Sequence, residues 1–187
     1  MFTFYHVYCP FSIITDNIIL GTYPSKDNVP ILIKNNVKFI LTLDTVPLDQ
    51  SIFSDFTLKY FNVMDEEFQD MLGIFDEAFD FIDKSSSMGA IYVHWFVCAY
   101  FTISTAGVSR SATIVIGYLM MKRSLSFKDA FEFVVSKRYC VNPNIGFVHQ
   151  LKMFETMKWK VDKDSNIYRQ YAIRNVALGV VKQSNLD

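Results

Sequence analysis

Apolar and polar positions follow two different periods along this chain. Ile18-Ile19-Leu20-Gly21 predicts a brief strand closed by glycine, and Lys38-Phe39-Ile40-Leu41-Thr42-Leu43 predicts a buried strand of β-prone residues. Between them, Val29 to Asn36 suits a short helix, and Leu58 to Val63 is a third strand. Phe68, Leu72, Phe75, Phe79 and Ile82 then recur at helical spacing, with Asp76, Glu77, Asp80 and Asp83 between them, which predicts an amphipathic helix. Ser85 to Gly89 breaks it, and a fourth strand begins at Ile91. Ala112 to Met121 is nearly uncharged and apolar all round, as a helix inside the core would be. Ser126 and Asp129 resemble a capping box for a helix over Phe127 to Ser136. Asn144 can cap another that carries Phe147, Leu151 and Phe154 on one face, and Ile167 to Val181 reads as a last helix, partly detached from the core. Strands alternating with helices predict an α/β fold, a mostly parallel central sheet flanked by helices.

The chain has 187 residues, 51% of them hydrophobic and 20% charged, enough for one globular domain with a core and too apolar for a disordered segment. Its 18 basic and 19 acidic residues leave a net charge of -1. That balance excludes a global field for nucleic acid or an anionic membrane, so any anion site must be local. Cys9, Cys98 and Cys140 show no metal-type spacing, which argues against a zinc site and a disulfide framework and favours a reducing cytosol or nucleus. Met1 to Ile14 is apolar and aromatic but has neither a basic n-region nor a cleavage site. The run Ile91 to Ile103 falls short of the roughly 20 residues that span a bilayer. Neither segment reads as a membrane anchor.

The stretch Thr105-Ala106-Gly107-Val108-Ser109-Arg110-Ser111 lies between the fourth strand and the core helix. Small residues there let successive backbone N–H groups turn toward one point, and the helix N-terminus adds partial positive charge. Those are the makings of a phosphate cradle. Arg110 can grip two phosphoryl oxygens with a planar fork, which lysine does only as a point charge. The same residues also fit a tight strand-to-helix turn with a solvent-facing arginine.

Gly107-Val108-Ser109-Arg110-Ser111-Ala112, with His94 upstream, resembles the signature loop of the cysteine-based dual-specificity protein phosphatases, His-Cys-x-x-Gly-x-x-Arg-Ser/Thr. Asn142-Pro143-Asn144 with Phe147, Gln150 and Leu151 resembles that family's later helical element, and Asp65 stands where the family carries its general acid. The likeness runs from about Ile18 to Glu155. Beyond it, Asp162 to Val176 is similar to the segment after the catalytic domain in the dual-specificity phosphatase twelve branch, whose members continue into a cysteine-rich zinc domain. The resemblance implies a cysteine thiolate that attacks phosphorus while Asp65 protonates the leaving oxygen and later activates water. It implies phosphate binding by residues Thr105, Ala106, Gly107, Val108, Ser109 and Arg110, help from Ser111 in breaking the intermediate, and a thiolate held low by His94. It implies no metal or organic cofactor, and a phosphorylated protein as partner. Glu66, Glu67 and Asp70 stand near enough in sequence to compete with Asp65, and the acidic stretch also fits a solvated loop.

The signature has no cysteine in its place. Six positions before Arg110 stands Ser104, and nine residues, Trp95 to Ile103, separate it from His94. Cys98 is too far from Arg110 to serve and suits a buried apolar role. A serine hydroxyl is a weak nucleophile without an activating base. Two accounts fit. Trp is encoded by TGG and one of serine's codon pairs is AGT or AGC, so the gene from Trp95 to Ser104 can be parsed as TG, then GTT…AG, then T or C; removing those 27 nucleotides would restore His-Cys-Thr-Ala-Gly-Val-Ser-Arg-Ser. This makes the segment a retained intron, the preferred account. Alternatively the insertion is genuine and the strand runs on through Tyr100 to Ile103.

The expected organisation is an apolar extension over 1–14, a phosphatase-like domain over 15–160 interrupted at 95–103, and a helical extension over 161–187. The expected function is hydrolysis of phosphotyrosine, with phosphoserine and phosphothreonine as further substrates. The rival is a phosphate-binding scaffold in which Ser104 replaces the nucleophile. Oligomeric state is not legible.

Overall fold

The computed structural model of the chain describes residues 11–95 and 109–184, with side chains described as far as 176. Five strands form one sheet: β1 (Phe11–Thr15), β2 (Ile18–Thr22), β3 (Val37–Asp44), β4 (Thr57–Asn62) and β5 (Ala90–Trp95). Their order is β1-β2-β5-β3-β4, with β1 antiparallel to β2 and every other pair parallel. The helices are α1 (Val29–Lys34), α2 (Leu72–Ser86), α3 (Arg110–Arg123), α4 (Phe127–Lys137), α5 (Ile145–Thr156) and α6 (Asn166–Ser184). The expected mostly parallel sheet flanked by helices is therefore what the chain forms.

The alternation of side chains along a strand divides the core in two. Phe39, Leu41 and Leu43 of β3, with Ile91 and Val93 of β5, join the larger cluster under α2, α3 and α5. Ile40 and Tyr92 face the other way, into a smaller cluster with Leu32 of α1 and with Leu48, Phe53 and Phe56. The central strands are apolar on both faces for this reason, and so read as continuous runs. Helix α3 crosses the larger core, buried from Arg110 to Met120, which explains its lack of any polar stripe.

Three expectations change. The sheet begins at Phe11, four residues ahead of the expected domain start, because Phe11 to Ile13 pair with Gly21 to Ile19. Helix α2 begins at Leu72, so Phe68 lies outside it. Gln150 of α5 accepts from Met71 N at 2.7 Å and Leu72 N at 3.1 Å, and Asp70 accepts from Gly73 N at 2.9 Å, which satisfies the first amides and fixes the helix start. The first half of α6 is packed rather than detached, since Tyr171 is buried in the larger cluster. Ser126 and Asn144 cap α4 and α5 as read, accepting from Asp129 N and Phe147 N.

Candidate active site

The parallel strands β3, β4 and β5 end together on one edge of the sheet, where α/β folds gather ligands. Asp44 closes β3, the loop 63–71 follows β4, His94 and Trp95 end β5, and Arg110 opens α3. Ser104, Thr105, Ala106, Gly107 and Val108 lie outside the described residues, as does the segment 96–103. The remaining candidates, Asp65, His94, Ser109, Arg110 and Ser111, are brought together.

Arg110 is only 7% exposed. Its Nη1 donates to the Val63 carbonyl at 2.9 Å and stands 3.5 Å from Asp44 Oδ1, so the ends of β3 and β4 hold the guanidinium in place. The Trp95 ring lies beneath it, 5.3 Å from ring centroid to Cζ. Arg110 Nε and Ser111 Oγ are buried without a hydrogen-bond partner among the described residues, as are His94 Nδ1 and Trp95 Nε1. Buried polar atoms are rarely left unmatched, and these four gather at the edge that adjoins residues 96–108.

Ser109 occupies the N-cap position of α3 but does not cap it. Its hydroxyl instead donates to Asp65 Oδ1 at 2.7 Å and accepts from Asn144 N at 3.0 Å. Asn144 Nδ2 also donates to Asp65 Oδ1, at 2.8 Å. Both bonds fall on one oxygen, and Oδ2 has no partner among the described residues. Of the neighbouring carboxylates, Asp70 is committed to Gly73 N and to the Tyr168 hydroxyl, which sets it apart from the Ser109–Arg110 corner.

The loop carrying Asp65 is braced along its length. Gln69 Oε1 accepts from Met64 N at 3.0 Å and closes the loop on itself. Gln150 Nε2 donates to the Gln69 carbonyl at 2.8 Å. Gly146, in the first turn of α5, lies against the Glu67 backbone so closely that an added Cβ would collide with the Glu67 carbonyl.

His94 is fully buried, with Nε2 at 2.9 Å from Thr42 Oγ1. Burial pushes its pKa down to about 3, against which a backbone bond at Trp95 acts weakly. Burial therefore favours the neutral ring. It would act on a neighbouring nucleophile through hydrogen bonding and position, not through the positive charge that holds a thiolate low.

Sequence reasoning did not count Thr42, Asp44 or Val63 among the site residues, and took Asn144 only as a cap. Asp44 carried a signal, a charge closing an apolar strand. The Val63 carbonyl carried none, because a backbone acceptor leaves no trace in residue type.

Residues 18–157 match the family described as dual specificity phosphatase, catalytic domain. The fold is that of its solved members. The structure of the human tyrosine phosphatase-like serine/threonine/tyrosine-interacting protein superposes with a TM-score of 0.70 at 30% identity, covering 80% of this chain and 98% of that one. Dual specificity protein phosphatase 1B of Arabidopsis thaliana is 36% identical over 143 residues, 76% of this chain and 80% of its own length. Dual specificity protein phosphatase MPK-4 of Drosophila melanogaster is 37% identical over 160 residues, 84% of this chain but 39% of its own length, so the chain spans about two fifths of that relative. The chain belongs to the dual-specificity phosphatase family. By family it is a protein phosphatase domain, a hydrolase by class. No helix among the described residues is long and apolar enough to cross a membrane.

Proposed function

We propose that the gene encodes a working phosphatase for phosphotyrosine, and for phosphoserine and phosphothreonine, and that the chain as written carries a retained intron at Trp95 to Ile103. The observation that carries this is the Asp65–Ser109 hydrogen bond of 2.7 Å, which hangs a carboxylate beside Arg110. Binding phosphate requires the arginine alone; a carboxylate among phosphoryl oxygens repels them unless it has a proton to give or take. In the spliced protein the cysteine after His94 attacks phosphorus as a thiolate, and the leaving oxygen takes its proton from Asp65. Water, deprotonated by Asp65, then displaces the cysteine and releases inorganic phosphate. Arg110 Nε and the uncapped first turn of α3 are the donors left for the phosphoryl oxygens. Ser111 Oγ, buried beside them, is suited to support the departing thiolate. Arg110, Ser109 and the small residues Thr105, Ala106, Gly107 and Val108 form the phosphate loop on this reading.

The test is the sequence of the mature transcript from Val93 to Arg110, followed by turnover of p-nitrophenyl phosphate. A message lacking the 27 nucleotides and a product inactivated by Cys→Ser at the restored position are expected. A message that keeps them defeats the proposal. It would favour the second reading, a phosphate-binding scaffold, for which the in-register Ser104 already speaks. The segment Asp162 to Val176 supports the dual-specificity phosphatase twelve branch, and cysteine usage supports cytosol or nucleus.

A further inference from the structure

The family match ends at residue 157, and the chain beyond that point turns back onto the site. Lys158 and Trp159 take consecutive left-handed conformations, φ 55° and 60°, which residues with a Cβ rarely adopt. That reversal is held by the Trp159 indole, which donates to the Leu125 carbonyl at 2.9 Å. Ser165 then accepts from Tyr168 N at 3.2 Å and starts α6. Tyr171, 7% exposed, packs beside His149 of α5, and one helical turn earlier Tyr168 reaches the Asp65 loop. Its hydroxyl donates to Asp70 Oδ2 at 2.7 Å, while Asp70 Oδ1 accepts from Gly73 N. Burial, with the Asp70 carboxylate next in order, raises the Tyr168 phenol well above its ordinary pKa, so it remains a donor.

We infer that α6 is a strap across the Asp65 loop, with Tyr168 as its latch and a positioning residue for the acid. This rests on Asp65 as the general acid. Within the family-matched region the loop is braced by Arg110 at Val63, Ser109 and Asn144 at Asp65, Gly146 at Glu67 and Gln150 at Gln69. Tyr168 reaches the loop by a hydrogen bond from beyond that region, at the point where the loop becomes α2. The segment after 157 is therefore part of how the acid is held.

The strap is tested on the whole chain by amide hydrogen exchange, which needs no turnover. Tyr168→Phe keeps the ring and removes the latch; exchange over residues 64–71 should rise about tenfold, the worth of one hydrogen bond to a charged group, with α3 and α4 unchanged. In an Asp70→Ala background the same substitution should add nothing, because the two residues act through each other. Unchanged loop exchange, a rise spread over the whole domain, or additive effects would overturn the strap. In the spliced protein, Tyr168→Phe should lower kcat/KM for phenyl phosphate about fivefold and spare kcat/KM for 2,4-dinitrophenyl phosphate, whose leaving group needs no proton. Equal losses on both substrates, or none on either, would overturn the positioning role. A spliced protein with no turnover at all would defeat the phosphatase reading while the exchange experiment still decides the strap.

Discussion

The Asp65 loop and the corner where β5 meets α3 adjoin each other and are built on opposite principles. Along the loop, Val63, Asp65, Gln69, Asp70 and Met71 each have a partner drawn from a different part of the chain. At the corner, His94 Nδ1, Trp95 Nε1, Arg110 Nε and Ser111 Oγ are buried with none among the described residues. A satisfied polar network fixes one conformation; unmatched buried donors cost free energy that folding alone does not recover. The difference teaches which part of the site the fold itself holds in place and which part it leaves open to a further partner. Two of those unmatched atoms sit on Arg110 and Ser111, the residues assigned to the phosphoryl group, and a third on Trp95, which splicing would replace with cysteine.

The comparison breaks first at Arg110. Arg110→Lys keeps a charge but loses the fork, and binding of tungstate, measured by calorimetry on the spliced protein, should weaken about a hundredfold or more. A loss of less than threefold would mean the unmatched Nε has no phosphoryl partner. On the satisfied side, Gln150→Ala strands the amides of Met71 and Leu72 and the carbonyl of Gln69. Chemical denaturation should report about 3 kcal/mol of lost stability, since each buried orphan costs about 1–3 kcal/mol and water will reach some of them. A change below 1 kcal/mol would show that the loop is solvated and the network idle.

How much of this was legible depends on the same division. The period of apolar residues gave the strands and the buried α3, because continuous apolar runs have few alternatives once both sheet faces are covered. It missed β1, whose residues Phe11 and Ser12 sit at the edge of an otherwise apolar N-terminal run with no alternation to mark the strand. It extended α2 back to Phe68, because periodicity does not register that Gln150, some eighty residues later, claims the amides at 71 and 72. Arg110, Ser111, His94 and Asp65 were found through a motif. Their braces were not, because Asn144 reads as a cap and the Val63 carbonyl as nothing.

His94 offers a sharper probe of the unmatched corner. Its pKa in the fold is about 3 against an ordinary 6.5. The unfolded chain therefore binds a proton more readily than the fold between those values, and stability falls as pH is lowered through the window. The loss should reach about 2 kcal/mol at pH 5 relative to pH 7.5, at about 1.4 kcal/mol per unit. His94→Gln should remove that slope while leaving the contribution of the carboxylates at lower pH. An unaltered slope in the variant would show that water reaches the ring and that the corner is wetter than its burial implies.

The smallest effect separates the two jobs of Asn144. Its Oδ1 caps α5 at Phe147 N, and its Nδ2 donates to Asp65. Asn144→Ala removes both and should cost about 1 kcal/mol, the usual worth of a cap. Asn144→Ser restores an oxygen for the cap and has no amide to give, so it should cost under about 0.5 kcal/mol in denaturation. On phenyl phosphate, however, the two variants of the spliced protein should lose kcat alike, about threefold, because both leave Ser109 as the only donor to Asp65 Oδ1 among the described residues. If the serine variant keeps full turnover, the amide is a cap and nothing more. Asp65 would then be set by Ser109 and the backbone of its own loop, and the satisfied region would owe less to α5 than its hydrogen bonds imply.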